Sequence, residues 1–325
     1  MAKIEQLREV ELELLEQFIK VCEEHNLTWY AMFGTLLGAM RNRGFLIWDD
    51  DIDVVMPSGD YAKLCNHKEW FDERYFLQTP VDEGCHCSTK LRKNGTTAFF
   101  LPLLDSIRQG GHLGISIDII PLAEVPGIGF YWTPTLKSAR NTIKYPKHWF
   151  GQGKTAAFER LQVNIPSEPR KVLQSCYGIW AWPIGAEVVS PHYWFFDNER
   201  DFSIYIRRYT GWLDEVKGKK IYLFGAADSL RIWLERYGLR EQVVCTFDND
   251  PNKWDKESFG VEVHNPAEIQ QIVDRDSIII VVSLWYQEIG EQLERMGITD
   301  YFVFLDFLFE CDSEGELICR ESPKK

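Results

Sequence analysis

Nowhere in its 325 residues does the chain hold an apolar run approaching the roughly 20 residues that span a bilayer, and its opening stretch is charged. No spanning helix and no secretory leader are predicted from it, and the expectation is a cytoplasmic protein. Its eight cysteines (22, 65, 85, 87, 176, 245, 311, 319) do not form a disulfide framework, so reduced thiols are expected. Cys85-His86-Cys87 lacks the second ligand pair of a zinc site. Positive charge is short: 36 Lys and Arg stand against 49 Asp and Glu, a net charge of −13. That argues against a nucleic-acid binder, whose affinity is carried by basic side chains on phosphates. What is plentiful is apolar material, 45% hydrophobic and 14% aromatic, enough for buried cores in about two domains.

The functional information concentrates between Gly34 and Met56. Residues 3–25 before it carry apolar side chains at helical spacing, and Trp29 to Phe33 reads as a strand. The chain then turns at Gly34-Thr35, continues as a short helix from Leu36 to Arg41, and enters Trp48-Asp49-Asp50-Asp51-Ile52-Asp53-Val54-Val55-Met56. As a strand, this last segment would place Asp49, Asp51 and Asp53 on one face. Carboxylates so crowded repel one another, and a hard divalent cation with oxygen ligands relieves the repulsion. An acidic surface loop is the ordinary fate of such a run, but here the charges lead straight into an apolar strand. The Gly34-Thr35 turn adds a backbone that a phosphate can approach, at the positive end of the following helix.

The pattern Gly34-Thr35-Leu36-Leu37-Gly38-Ala39-x-Arg41, then Gly44-Phe45, then Trp48-Asp49-Asp50-Asp51-Ile52-Asp53, resembles the LicD family of phosphocholine transferases, related to the fukutin-related protein. Where that family usually has Pro before the Trp, this chain has Ile47. The resemblance implies a nucleotidyltransferase-type fold, with an Asp-x-Asp pair and a third Asp on a neighbouring strand. Asp118 stands alone inside the apolar run Ile115 to Leu122, costly without a cation or good donors, and that run resembles the family's Ile-Asp-Ile-Phe-Pro-Leu stretch. It is read as the third carboxylate. Lys90 and Arg92 would share a strand face before the Asn94-Gly95 hairpin turn, where the resemblance also has basic residues; a solvated edge is the equal alternative.

Residues 131–171 hold eight basic residues against Glu159 and Glu168, with Tyr131, Trp132, Tyr145, Trp149 and Phe150 between them. Peripheral contact with the inner membrane face and a solvated helical hairpin are equal readings of this segment. From Lys219 onward, strands at 219–224, 243–247, 277–283 and 301–304 alternate with helices, predicting a parallel sheet. Its dinucleotide fingerprint is broken at Ala227 and Leu230, although Asp248 lies at the distance of a ribose-binding acid. The expected fold is α/β: a nucleotidyltransferase-type mixed sheet over 1–217 and a Rossmann-like parallel domain over 218–325.

The expectation for function joins the residues to the resemblance. Asp49, Asp51, Asp53 and Asp118 would hold Mg2+ or Mn2+, with Asp51, Asp53 and Asp118 catalytic. Gly34, Thr35, Arg41, Trp48, Lys90 and Arg92 would bind substrate, Arg41 through the geometry that suits phosphate. Only the resemblance implies the donor, a CDP-alcohol such as CDP-choline, and the acceptor, a hydroxyl of a glycan or lipid-linked glycan. Two alternatives stay open: a nucleotidyltransferase attaching a nucleoside monophosphate, and a non-catalytic glycan-binding or scaffold protein.

Overall fold

The computed structural model describes residues 2–47, 49–83, 88–99, 110–125, 129–133, 143–178, 195–274, 276–304, 309–311 and 317–319. The chain forms two compact units, Met1–Phe202 and Ser203–Lys325.

In the first unit, α1 (Ala2–Glu24) buries Leu7, Leu14, Leu15, Phe18, Val21 and Cys22, the apolar stripe legible in the sequence. Then come β1 (Tyr30–Ala31), α2 (Phe33–Arg41), β2 (Asp53–Pro57), α3 (Ser58–Cys65), β3 (Tyr75–Gln78), β4 (Thr89–Lys93) and β5 (Thr97–Phe99). After them lie β6 (Ser116–Val125), β7 (Phe130–Trp132), β8 (Tyr145–Pro146), β9 (Lys154–Phe158), β10 (Leu161–Ile165), α4 (Pro169–Tyr177) and β11 (Phe195–Asp197). The main sheet runs β1-β2-β6-β4-β3, with β7 and β8 continuing from β6. It is mixed: β2 and β6 are parallel, while β1, β4 and β3 pair antiparallel. Val54, Val55 and Met56 on β2 and Ile117, Ile119 and Ile120 on β6 are all buried, so these central strands are covered on both faces.

Two expectations change here. Gly95 adopts the left-handed φ of +75° that an Asn-Gly turn needs, yet the flanking strands do not pair as a hairpin. Both edges of β4 are taken, by β3 and β6, and β5 pairs with β11 instead. The basic, aromatic segment is not a helical hairpin in its described part. Its centre is the antiparallel β9–β10 hairpin, Tyr145 and Phe150 lie in the core, and Lys147, Arg160 and Lys171 pair with Glu124, Glu9 and Glu168. No described helix is long and apolar enough to cross a membrane.

The second unit takes in nearly all of α5 (Phe202–Thr210), then α6 (Trp212–Glu215). Arg208 donates to Glu294 and to the Thr299 carbonyl, and Trp212 packs against Trp233 and Tyr237. These contacts group both helices with the C-terminal unit. Its sheet comprises β12 (Ile221–Phe224), β13 (Val243–Phe247), β14 (Lys256–Ser258), β15 (Val261–His264), β16 (Ile278–Val281) and β17 (Phe302–Val303). The order is β14-β15-β13-β12-β16-β17, parallel except for β14, as the alternation of strands and helices predicts. Asp248 is consumed by its own loop: it accepts from Ala226 N, Asp250 N and Lys253 Nζ.

Candidate active site

The site is built where β2 meets β6. Their parallel register sets Asp53 beside Asp118, and Asp118 N donates to the Ile52 carbonyl at 2.8 Å just before the ladder. The two carboxylates are far apart in sequence and become neighbours only through this pairing. Lys90, on β4 directly across from Asp118, donates to Asp118 Oδ1 at 2.6 Å, and the Ser88 hydroxyl donates to the same oxygen. Burial pushes Asp118 up, but the Lys90 charge and these hydrogen bonds outweigh it and hold the carboxyl below its usual range. Asp53 goes the other way. Burial and then the charges of Asp51, Asp118 and Asp49 push it well above the carboxylate range.

The acidic run is not the one-faced strand its alternation predicts. The strand begins at Asp53, and Asp49 and Asp50 are both buried. The reason is Arg8 on α1. Its guanidinium donates to the carbonyls of Leu46 at 2.7 Å, Ile47 at 3.2 Å and Asp49 at 2.7 Å, so this backbone is bonded to a helix rather than to a strand. The turn before α2 is also engaged internally. The Thr35 hydroxyl accepts from Asp53 N at 2.8 Å, which ties the helix start to the first residue of β2. The Asp49 carboxylate lies where a Cβ on Gly34 would fall, so residue 34 must be glycine for Asp49 to lie there. Phe33, buried just before it, is held at φ +45°, a left-handed conformation that bulky residues rarely adopt outside constrained sites.

The other expected residues fall into four groups. Lys90 is at the site. Arg92 is turned into the unit, donating to Gln78 Oε1 at 2.6 Å and the Gly114 carbonyl at 2.7 Å; a buried guanidinium must be satisfied by such acceptors, and its charge reaches Asp118 only as a further downward pull. Arg41 closes the last turn of α2, with its buried Nη1 lacking a hydrogen-bond partner among the described residues. Trp48 and the Cys85-His86-Cys87 cluster lie outside the described residues.

Sequence reading missed Glu11. It sits on the buried stripe of α1 between Leu7 and Leu15, fully enclosed, with neither carboxyl oxygen hydrogen-bonded among the described residues. The available signal was an acid at a position where helical spacing demands an apolar side chain. Burial, then the charges of Asp51, Asp50 and Asp49, push its carboxyl far up. The folded chain therefore keeps this proton at pH values where the unfolded chain has released it. Stability is fully present in acid and falls as pH rises through the folded value, by up to about 1.4 kcal/mol per pH unit. With EDTA present, the midpoint of thermal unfolding is expected to fall as pH rises through that range, and Glu11→Gln to make the fall shallower. An unchanged slope in the variant would show that Glu11 does not titrate with folding.

The donors fit a divalent cation. They are hard carboxylate oxygens, and neighbouring negative charge raises two of the acids. No three acids, His or Cys among the described residues close up as an all-protein cage.

Residues 26–168 match the family described as LicD/FKTN/FKRP, nucleotidyltransferase domain, and residues 217–304 match the family C2185-like, N-terminal. A stretch of 74 residues is 38% identical to the lipopolysaccharide cholinephosphotransferase LicD of Haemophilus influenzae. The alignment covers 22% of this chain and 27% of that protein, so the chain spans well under a third of the relative it matches.

Proposed function

We propose that the protein, whose residues 26–168 match the nucleotidyltransferase domain described as LicD/FKTN/FKRP, is a metal-dependent transferase moving a phospho-alcohol from a CDP-alcohol to a glycan hydroxyl. Phosphocholine is the group that the name of the Haemophilus relative, a lipopolysaccharide cholinephosphotransferase, supports, and CDP-choline is the donor proposed for it. The observation that carries the reading is the β2–β6 register, which sets Asp53 against Asp118 with Lys90 on the second carboxylate.

Asp51, Asp53 and Asp118 would hold Mg2+ or Mn2+. Bound there, the cation would neutralise charge on the diphosphate and the departing nucleotide. Asp118, kept ionised by Lys90 and Ser88, serves better as a fixed anion than as a proton acceptor, since a depressed pKa makes a weak base. Lys90 orients it. Arg41, with a buried guanidinium nitrogen still unpartnered, would donate to a phosphate oxygen of the donor. In the reaction the acceptor hydroxyl oxygen would form a bond to the phosphorus bearing the alcohol, the bond from that phosphorus to the bridging oxygen would break, CMP would leave, and the hydroxyl proton would pass to solvent. The second unit is read as a Rossmann-like nucleotide-binding or docking module.

The test is product analysis after incubation with CDP-choline, Mg2+ and a glycan acceptor. CMP and a phosphocholine-bearing product are expected. The family's description as a nucleotidyltransferase domain favours a second reading, in which a nucleoside triphosphate would instead yield pyrophosphate and a nucleotidylated product. A thermal-shift comparison of CDP-alcohols with and without Mg2+ identifies the donor, because a ligand that binds only the folded chain raises its melting temperature.

A further inference from the structure

We propose that Glu11 is a cation-binding residue of this site, contributed by the N-terminal helix and held in place by Arg8. The inference rests on the metal-dependent reading above and extends the site to an element that carries none of the acidic motif.

Glu11 occupies a position built for a leucine. Leu7 and Leu15, one turn to either side on the same stripe, are buried, and so is Glu11 itself. A carboxyl in such a place normally finds donors, because burying a polar group unpaired costs several kcal/mol. Both oxygens of Glu11 lack a hydrogen-bond partner among the described residues. The nearby base does not serve: Arg8 spends its donors on the carbonyls of Leu46, Ile47 and Asp49.

Those same bonds decide what Glu11 faces. Arg8 and Glu11 are three residues apart on one helix, so their side chains share a face. Arg8 fixes that face against the backbone leading into Asp49. The neighbouring groups whose fields reach Glu11 are Asp51, Asp50 and Asp49, with Arg8 the weakest. Asp51 and Asp49 also lie in the field of Asp53, so the inner and outer acids form one connected set. Two buried, unpartnered carboxyl oxygens on the helix face that Arg8 ties to the acidic run are donors of the kind that a hard divalent cation takes.

The experiment measures Mn2+ binding by calorimetry and electron paramagnetic resonance, on the full chain without nucleotide. Wild type, Glu11→Gln, Glu11→Leu and Asp53→Asn are compared. Both Glu11 variants are expected to weaken Mn2+ at least about tenfold. In EDTA, Glu11→Leu should melt above wild type, because an unpaired buried acid has been replaced by an apolar side chain. If both variants bind Mn2+ like wild type while Asp53→Asn loses it, the role of Glu11 is overturned and the metal-dependent reading stands. If wild type itself does not bind Mn2+, both fall. If both Glu11 variants melt well below wild type in EDTA, Glu11 is a structural residue and the proposal is likewise overturned.

Discussion

Asp53→Asn is expected to lower transfer from a CDP-alcohol by about a thousandfold or more, roughly 4 kcal/mol of barrier, in a protein that stays folded. Asn keeps the shape of Asp and every backbone bond of the position. Asp53 N still donates to Thr35 Oγ1 at 2.8 Å, and its carbonyl still accepts from Met32 N at 3.1 Å. What disappears is one negative charge at the junction of Asp51, Asp118 and Asp49. That charge is unfavourable in the metal-free fold, where burial and those three neighbours push the Asp53 carboxyl up. The variant should therefore melt at or above the wild-type temperature in EDTA, and Mg2+ should no longer raise it. Activity and stability are expected to move in opposite directions, which a residue holding the fold together would not do. Wild-type turnover in Asp53→Asn would end the metal-dependent reading.

Gly38→Ala is expected to cost about 2–3 kcal/mol of stability, with the melting temperature of the first unit falling by roughly 5–10 °C. Gly38 lies inside α2, and in an open helix the change to Ala would be worth up to about 1 kcal/mol in its favour. Sterics win here. A Cβ on Gly38 would fall inside contact distance of the Gly44 carbonyl oxygen and 3.4 Å from Phe158. The Gly44 backbone has nowhere to retreat, because Glu159 lies against its Cα and accepts from Phe45 N at 3.0 Å. Two glycines of the motif are thus explained by close approach of backbone to backbone and to a carboxylate. Thermal and urea unfolding check the size of the loss, and a melting temperature at or above wild type would show that the 42–45 segment yields.

Much of this was written in local sequence. The amphipathic repeat of α1, the apolar strands at 53–57 and 116–125, and the alternation of strands and helices after Lys219 are periodic signals carried by neighbouring residues. The acidic run and the lone Asp118 were legible as charge in apolar surroundings, a conflict that local composition exposes. The wrong details share one cause. Asp49 to Ile52 were assigned strand alternation, but Arg8, from a helix far away in sequence, holds the backbone just before them. Arg92 was placed on a substrate face, yet its partners Gln78 and Gly114 come from other segments. Asn94-Gly95 was a correct turn with the wrong strand partners.

The amino-acid sequence by itself therefore determined which elements form and where acids accumulate, because spacing and turn chemistry act within a few residues. Tertiary structure decided which acids meet. The register that sets Asp53 against Asp118, the Lys90 ammonium on the second of them and the Arg8 bonds that hold α1 to the backbone at Leu46–Asp49 all depend on contacts between distant segments. Register is chosen by the whole sheet, since a slip of one residue would exchange the faces of every side chain on the strand. The cluster of carboxylates exists only at that level, because its members lie on different segments of the chain.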